Sequence, residues 1–304
     1  MNSTSVPRLT PCPSHSVLGR LLRGSRCIVA VPGFEQFAGP DWSTRVMHDA
    51  AADPLHAKQG RSISYWPLAN DAGRPLNLYL KRHYELPRWQ GLLATLLPCR
   101  AVSPGLAEWE HLRWAEEHGI PVARPVAAGE FRGPWGKLQS FLAVEALAGM
   151  QPLNEAIPLA FRTLSSADFA KWKRGLVGEI ARLSRELHRR RAFHKDLYLC
   201  HFYLPSADCE GVPPTFHGRV FMIDFHRLGL HRLFRLRYQV KDLAQLLFST
   251  GGVSGITDRD RLRFWKLYRS GEWGSANSPR EWLRGPVRIK WKRYDRHNKK
   301  HANG

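Results

Sequence analysis

The sequence predicts an α+β protein of two lobes, a small strand-rich lobe followed by a larger helical one, and three observations carry this. In the first half Leu76, Leu78 and Leu80 alternate with Asn77, Tyr79 and Lys81, the period of a half-buried strand. In the second half Leu176, Ile180, Leu183 and Leu187 stand at i, i+4, i+7 and i+11, which places them on one helical face. Between the halves the apolar run from Leu138 to Leu147 leads into Gly149 and reads as the last strand of the small lobe and the hinge after it. Strands first and helices afterwards is the α+β arrangement.

In chain order, residues 1–40 are rich in Pro, Ser and Gly and read as a loosely attached N-terminal extension. The small lobe is expected over 41–147. Its clearest strand ends in Lys81-Arg82-His83. After a loop with Pro98 and Pro104, a helix is expected from about Gly105 to His118, with Trp109, Leu112 and Ala115 at helical spacing. Gly119 and Pro121 stop it, because proline cannot continue the hydrogen-bond ladder. Pro121 to Glu130 opens another strand region. The large lobe is expected over 148–285. The helix through Leu187 runs directly into His194, Pro205 to His217 is a turn-rich connection, and Arg219 to Asp224 is a strand. Leu243, Leu246 and Leu247 are expected to begin a helix just after Asp242, whose carboxylate would cap it. Residues 286–304 form a basic tail.

Composition narrows the function classes. A chain of 304 residues can bury a substantial core, and 43% hydrophobic residues separate it from disordered chains. It has no run of about 18 apolar residues, so no transmembrane helix is expected, and its N-terminus lacks the layout of a secretory signal. Five cysteines without a Cys-x-x-Cys pair suit a reducing compartment. His194, Cys200, His201, His217 and His226 lie close in sequence, but their spacing matches no common zinc pattern. The net charge of +20 favours an anionic partner: nucleic acid, anionic lipid or a phosphorylated glycolipid. The segment Arg284 to His301 carries eight Lys or Arg and one Asp, with Trp291 and Tyr294 among them. Two readings are open for it: a solvated, frayed tail, and an anchor on acidic membrane with aromatics at the interface and each cation contributing about 1 kcal/mol.

The chemistry concentrates in two places. Phe193-His194-Lys195-Asp196-Leu197-Tyr198-Leu199-Cys200-His201-Phe202 follows the long helix, and Val220-Phe221-Met222-Ile223-Asp224-Phe225 is an apolar run that delivers one carboxylate. Phosphoryl transfer needs a metal-bound triphosphate, a cation on its phosphates and a base at the nucleophile. Asp196 suits the base, with His194 and Lys195 read as part of the same catalytic loop. Asp224, at a strand end, suits Mg²⁺. Lys81 suits the phosphates if a helix carboxylate fixes it, and Glu108 is preferred over Glu110 because it lies four residues before Leu112, on the packed stripe. Taken singly these motifs are commonplace. Their order and their secondary-structure context point to phosphoryl transfer.

On these residues the chain resembles the protein-kinase-like superfamily, and more closely the lipopolysaccharide core kinases of the Kdo/WaaP type. The resemblance rests on Leu80-Lys81-Arg82-His83, Glu108-Trp109, His194-x-Asp196-x-Tyr198-x-Cys200-His201-Phe202, Ile223-Asp224-x-His226-Arg227 and Lys241-Asp242-Leu243, and covers about Gln59 to Ser249. It implies a protein-kinase-like two-lobed fold and ATP-dependent phosphorylation of a heptose or 3-deoxy-octulosonate hydroxyl in the lipopolysaccharide inner core. The acceptor would be a core or lipid A-linked glycolipid, met on the cytoplasmic face of the inner membrane, whose anionic surface would be a partner. No obligate protein partner is inferred. Backbone groups near Glu145 and Leu147 would take the adenine, and Asp242 would brace the catalytic loop. His201 stands where other kinases carry an Asn for a second Mg²⁺, and either ligates metal or contacts phosphate. Gly60-Arg61-Ser62 is the candidate phosphate-covering loop. Two other readings stay open: a protein or small-molecule kinase of the same fold, and a basic nucleic-acid-binding protein with a degenerate kinase fold.

Overall fold

The computed structural model describes residues 16–48, 54–58, 60–98, 100–231, 233–273 and 281–302. The chain divides into two compact units, Met1–Ala115 with Ala123–Leu147, and Glu116–Val122 with Ala148–Gly304.

The first unit is built on a six-stranded antiparallel sheet. Helix α1 (Val17–Arg23) precedes strand β1 (Ser25–Ala30), two single helical turns α2 (Glu35–Ala38) and α3 (Trp42–Arg45) follow, and then come β2 (Pro54–Lys58), β3 (Arg61–Ala69) and β4 (Pro75–His83). Helices α4 (Arg88–Leu96) and α5 (Pro104–Glu117) separate these from β5 (Pro125–Arg132) and β6 (Leu138–Glu145). The strand order is β1-β5-β6-β4-β3-β2. Leu78 and Leu80 are buried while Tyr79 between them is exposed, as the period-2 alternation requires. Phe34 packs edge-on against Trp42 at 4.9 Å, and Trp42 against Phe141 at 5.9 Å. Arg82 donates to the Val46 carbonyl. Residues 16–40 are therefore no loose extension: β1 pairs with β5 from Ser25↔Arg132 to Ala30↔Ala127, and Phe34 is 2% exposed. Their Pro, Ser and Gly mark the turns between short elements, which composition does not distinguish from a linker. Residues 1–15 lie outside the described residues.

The second unit is mostly helical. Strand β7 (Met150–Pro152) leads into α6 (Leu153–Thr163) and the 24-residue α7 (Ser166–Arg189). Ser165 caps α7, accepting the Asp168 N–H at 3.1 Å. The predicted stripe is buried and begins earlier, at Phe169 and Trp172. Strands β8 (Ala192–Phe193), β9 (Phe202–Pro205), β10 (Phe221–Met222) and β11 (Gly229–Leu230) are short ladders that hold the loops, and β10 is briefer than the run Arg219 to Asp224 suggests. Helices α8 (Arg235–Ser249), α9 (Asp258–Ser270) and α10 (Arg284–Ala302) complete the unit. α8 begins seven residues before Asp242, so Asp242 lies inside the helix and does not cap it.

The basic tail is a helix packed on the core. Val287 is 5% exposed and joins Ala181, Leu243, Ala244 and Tyr268 in one buried cluster, against which Trp291 and Tyr294 also pack. The expectation that these aromatics face a lipid interface is overturned. Position 287, a turn before Trp291, completes an apolar stripe too sparse to stand out among the cations. Arg288, Lys292, Arg293 and Arg296 are exposed, so the charge lies on the outer face. Among the described residues, no helix is long and apolar enough to cross a membrane.

Candidate active site

In the first unit, Lys81 lies near the end of β4 on the face opposite Leu78 and Leu80, and Glu108 on α5 comes to meet it. Lys81 Nζ donates to Glu108 Oε1 at 2.6 Å, with the Glu108 side chain 4% exposed. Glu110 is exposed on another side of α5. The short turn between β2 and β3 carries Gly60 at φ 72°, a left-handed conformation that glycine adopts without strain. Arg61 pairs with His83 and Ile63 with Lys81, so this turn lies at the Lys81 end of the sheet. Glu145 donates its N–H to the Arg124 carbonyl at 2.9 Å, and its carboxylate accepts from the Arg124 guanidinium at 3.1 Å.

In the second unit, the loop after β8 is held by one carboxylate. Asp242, fully buried, accepts the His194 N–H through Oδ2 and the Lys195 N–H through Oδ1, both at 2.8 Å. Lys195 adopts φ 66°, a conformation rare outside glycine, which these bonds help to maintain. Behind Asp242 runs a buried polar chain. Gln239 donates to the Tyr268 hydroxyl at 2.7 Å, Tyr268 meets His188 Nδ1 at 2.7 Å, and His188 Nε2 meets Asp242 Oδ2 at 3.2 Å. Burial pushes the Tyr268 phenol far above its ordinary pKa, so it stays a neutral hydroxyl in this chain.

His194 is wholly buried and its Nε2–H donates to the Ile223 carbonyl at 3.0 Å. Burial, only partly offset by Asp242, lowers its pKa and keeps the imidazole neutral. It couples the loop to the peptide that precedes Asp224. The Lys195 ammonium sits over the Tyr238 ring, 5.2 Å from the centroid. The cations at Asp196 are others. Arg227 Nη1 lies 3.0 Å from Asp196 Oδ2 and Lys241 Nζ 3.8 Å from Oδ1, while Gln245 Nε2 donates to Oδ1 at 3.3 Å and to the Tyr198 hydroxyl at 2.9 Å. Lys241 also donates to the Lys195 carbonyl. Lys241 and Gln245 stand one turn apart on α8, a spacing that would have marked a shared face. No sequence signal points Arg227 at a residue 31 positions away.

Asp224 takes a left-handed backbone, φ 66° and ψ 53°, and is partly exposed. His226 Nδ1 bonds its Oδ1, and His201 Nε2 lies 3.9 Å from its Oδ2. His201 Nδ1–H donates to the Asp196 carbonyl at 2.7 Å. Burial opposes protonation of His201, but the hydrogen bonds to Cys200 and the Asp196 carbonyl, with the Asp224 charge, raise its pKa on balance. The ring thus lies between the Asp196 carbonyl and the Asp224 carboxylate. Asp224, a partly exposed hard oxygen donor, fits Mg²⁺.

A sheet unit with a Lys–Glu pair, and a helical unit with a His-x-Asp loop and an Asp after a short strand, define a protein-kinase-like protein. The lipopolysaccharide kinase (Kdo/WaaP) family model matches residues 54–268, and the chain belongs to that family. It is 34% identical over 179 residues to the lipopolysaccharide core heptose(I) kinase WaaP of Pseudomonas aeruginosa, covering 59% of this chain and 63% of that one. It is 29% identical over 177 residues to the protein of the same description from Escherichia coli, covering 53% and 58%. The chain thus matches less than two thirds of the length of these relatives. A solved structure of WaaP in complex with acyl carrier protein superposes with a TM-score of 0.63 at 25% identity, over 88% of this chain and 98% of the other.

Proposed function

We propose that this protein transfers the γ-phosphoryl group of ATP to a sugar hydroxyl of the lipopolysaccharide inner core, a heptose in the first instance. The observation that carries the reading is the pair Asp196 and Asp224, each fixed from behind through the Asp242–His194 framework, in a chain whose relatives are named heptose(I) kinases. Asp196 orients the acceptor hydroxyl and takes its proton as the oxygen–phosphorus bond forms and the bond to ADP breaks. Arg227, half exposed beside Asp196, meets the charge on the transferring group. Lys81, aligned by Glu108, binds phosphates, and Glu145 and Leu147 offer backbone groups to the adenine. Asp224 holds Mg²⁺, which supplies neutralisation of phosphate charge when bound, and the His201 ring donates to a phosphate oxygen. A domain boundary near Leu147 follows from the same reading, as does residence at the inner face of the inner membrane.

The solved relative's complex with an acyl carrier protein supports a further part of the reading: a carrier protein of that class binds this chain, in place of the expectation of no obligate protein partner. The deciding experiment incubates the full-length protein and ATP with core oligosaccharides of defined length and reads phosphate addition by mass spectrometry. Addition of one phosphate to a heptose-ended acceptor is expected. Transfer only to protein, or none to any core, would overturn the assignment.

A further inference from the structure

Three segments of the first unit meet in one place: α1, α4 and the turn Pro134–Gly136. Arg20, buried on α1, donates to the Thr95 carbonyl of α4 at 3.1 Å. Gly91 of α4 lies so close to the turn that a Cβ there would sit 2.1 Å from the Gly136 carbonyl oxygen. These contacts make the three pieces one platform.

The platform exposes an unusual amount of apolar side chain. Leu18 is 64% exposed, Leu22 49%, Trp89 63%, Leu92 42%, Leu96 59% and Trp135 62%. Single exposed apolar residues are ordinary, whereas a contiguous set on adjoining helices marks an interaction surface. Trp135 adds a second sign. Its φ of 55° is rare for a bulky residue, so the turn holds an exposed indole at the cost of backbone strain.

Beside the apolar set is charge of one sign. Arg23, Arg26, Arg88 and Lys137 line one open groove of about 840 Å³, in which the exposed acid is Glu85. The stretches 16–26, 87–100 and 133–137 contain six Lys or Arg and no Asp or Glu. A second copy of this chain would bring cations against cations. A bilayer of anionic lipid matches both features, since phosphates meet the groove while Trp and Leu enter the headgroup and acyl boundary.

We infer that α1, α4 and the Trp135 turn form the face by which this protein docks on an anionic lipid bilayer. It goes beyond the phosphotransfer reading and uses none of its residues. The test is cosedimentation of the full-length protein with vesicles of phosphatidylglycerol and phosphatidylethanolamine, and with vesicles of phosphatidylcholine. Wild type is expected to partition at least tenfold better into the anionic vesicles. Trp89→Ser with Leu96→Ser should lower that partition at least tenfold, with the melting temperature and nucleotide binding unchanged. Arg23→Gln with Arg88→Gln should remove the preference for anionic lipid. As a second readout, brominated lipid should quench wild-type tryptophan fluorescence, and Trp89→Phe with Trp135→Phe should lose most of that quenching while still binding. Unchanged partition in the serine and glutamine variants, or unchanged quenching in the phenylalanine variant, would overturn the inference. So would light scattering that shows a lipid-free dimer abolished by the serine variant, which would give the face to a protein contact. Kinase activity on a soluble core fragment is read separately, and its failure would bear on the phosphotransfer reading alone.

Discussion

The Asp242 carboxylate accepts the backbone N–H of His194 at 2.8 Å, from inside a helix 48 residues further along the chain. With the second bond to the Lys195 N–H it ties the loop that carries Asp196 to the core of the helical unit. Removing the carboxylate leaves two amides, and the His188 ring behind them, without their acceptor. Asp242→Ala is expected to cost about 2–4 kcal/mol of stability, together with activity, because unpaired buried donors are expensive. Urea unfolding of the two proteins measures this, and an unchanged midpoint with lost activity would make Asp242 a chemical participant.

Asp196 and Asp224 should fail differently. Asp196→Asn is expected to lower turnover by about 10²–10⁴-fold while nucleotide still binds, since the base acts on the acceptor. Asp224→Asn should abolish the Mg²⁺ dependence of nucleotide binding, and chelation of Mg²⁺ should reproduce that loss in the wild type. Calorimetric titration of ATP with and without Mg²⁺ separates the two. Equal nucleotide affinity in both variants would remove Asp224 from the metal.

The Lys81–Glu108 pair, in which only the carboxylate is buried, predicts an asymmetric cost. Lys81→Met leaves a buried carboxylate alone, and about 3 kcal/mol of destabilisation is expected, whereas Lys81→Met with Glu108→Gln should recover part of it without restoring activity. Thermal melts and turnover of the two single variants and the double variant complete the cycle. Additive costs would mean that the pair is not coupled.

Deleting residues 286–304 should unfold part of the helical unit. The deletion strips Val287, Trp291 and Tyr294 from the cluster around Tyr268, and losing that apolar cover is expected to cost about 3 kcal/mol or more. A truncated protein that melts at the wild-type temperature would return this helix to the role of a detachable anchor.

Asp260 gives the stability a defined dependence on pH. Its carboxylate lies 2.8 Å from Lys173 Nζ and accepts the Thr257 N–H at 2.8 Å and the Thr257 hydroxyl at 2.6 Å. Burial raises its pKa, but these partners outweigh burial and leave it below the ordinary carboxylate value. A depressed folded-state pKa means that the contribution is complete above the unfolded value near 4 and is lost as pH falls through the folded one. Asp260→Asn should therefore show a shallower loss of stability below pH 4 than the wild type. Parallel curves from urea midpoints across pH 2–6 would contradict the linkage.

Much of this protein was determined by local sequence. Alternation at Leu78 and Leu80 put Lys81 on the opposite face of its strand, and the helical phase from Leu112 selected Glu108 over Glu110, because strand and helix periods dictate where neighbouring side chains point. The order of strands and helices, and the two acids at the ends of their elements, were legible for the same reason. Tertiary structure alone decided that residues 16–40 join the sheet, that Trp291 and Tyr294 turn inward, and that Arg227 and Lys241 are the cations facing Asp196 while Lys195 turns to Tyr238. It also made Asp242 a brace for a distant loop instead of a cap for its own helix. Periodicity tells which side of an element is apolar, but burial is non-directional and does not name the element that will cover it, and a charged side chain finds its partner only after the fold has set the distances between them.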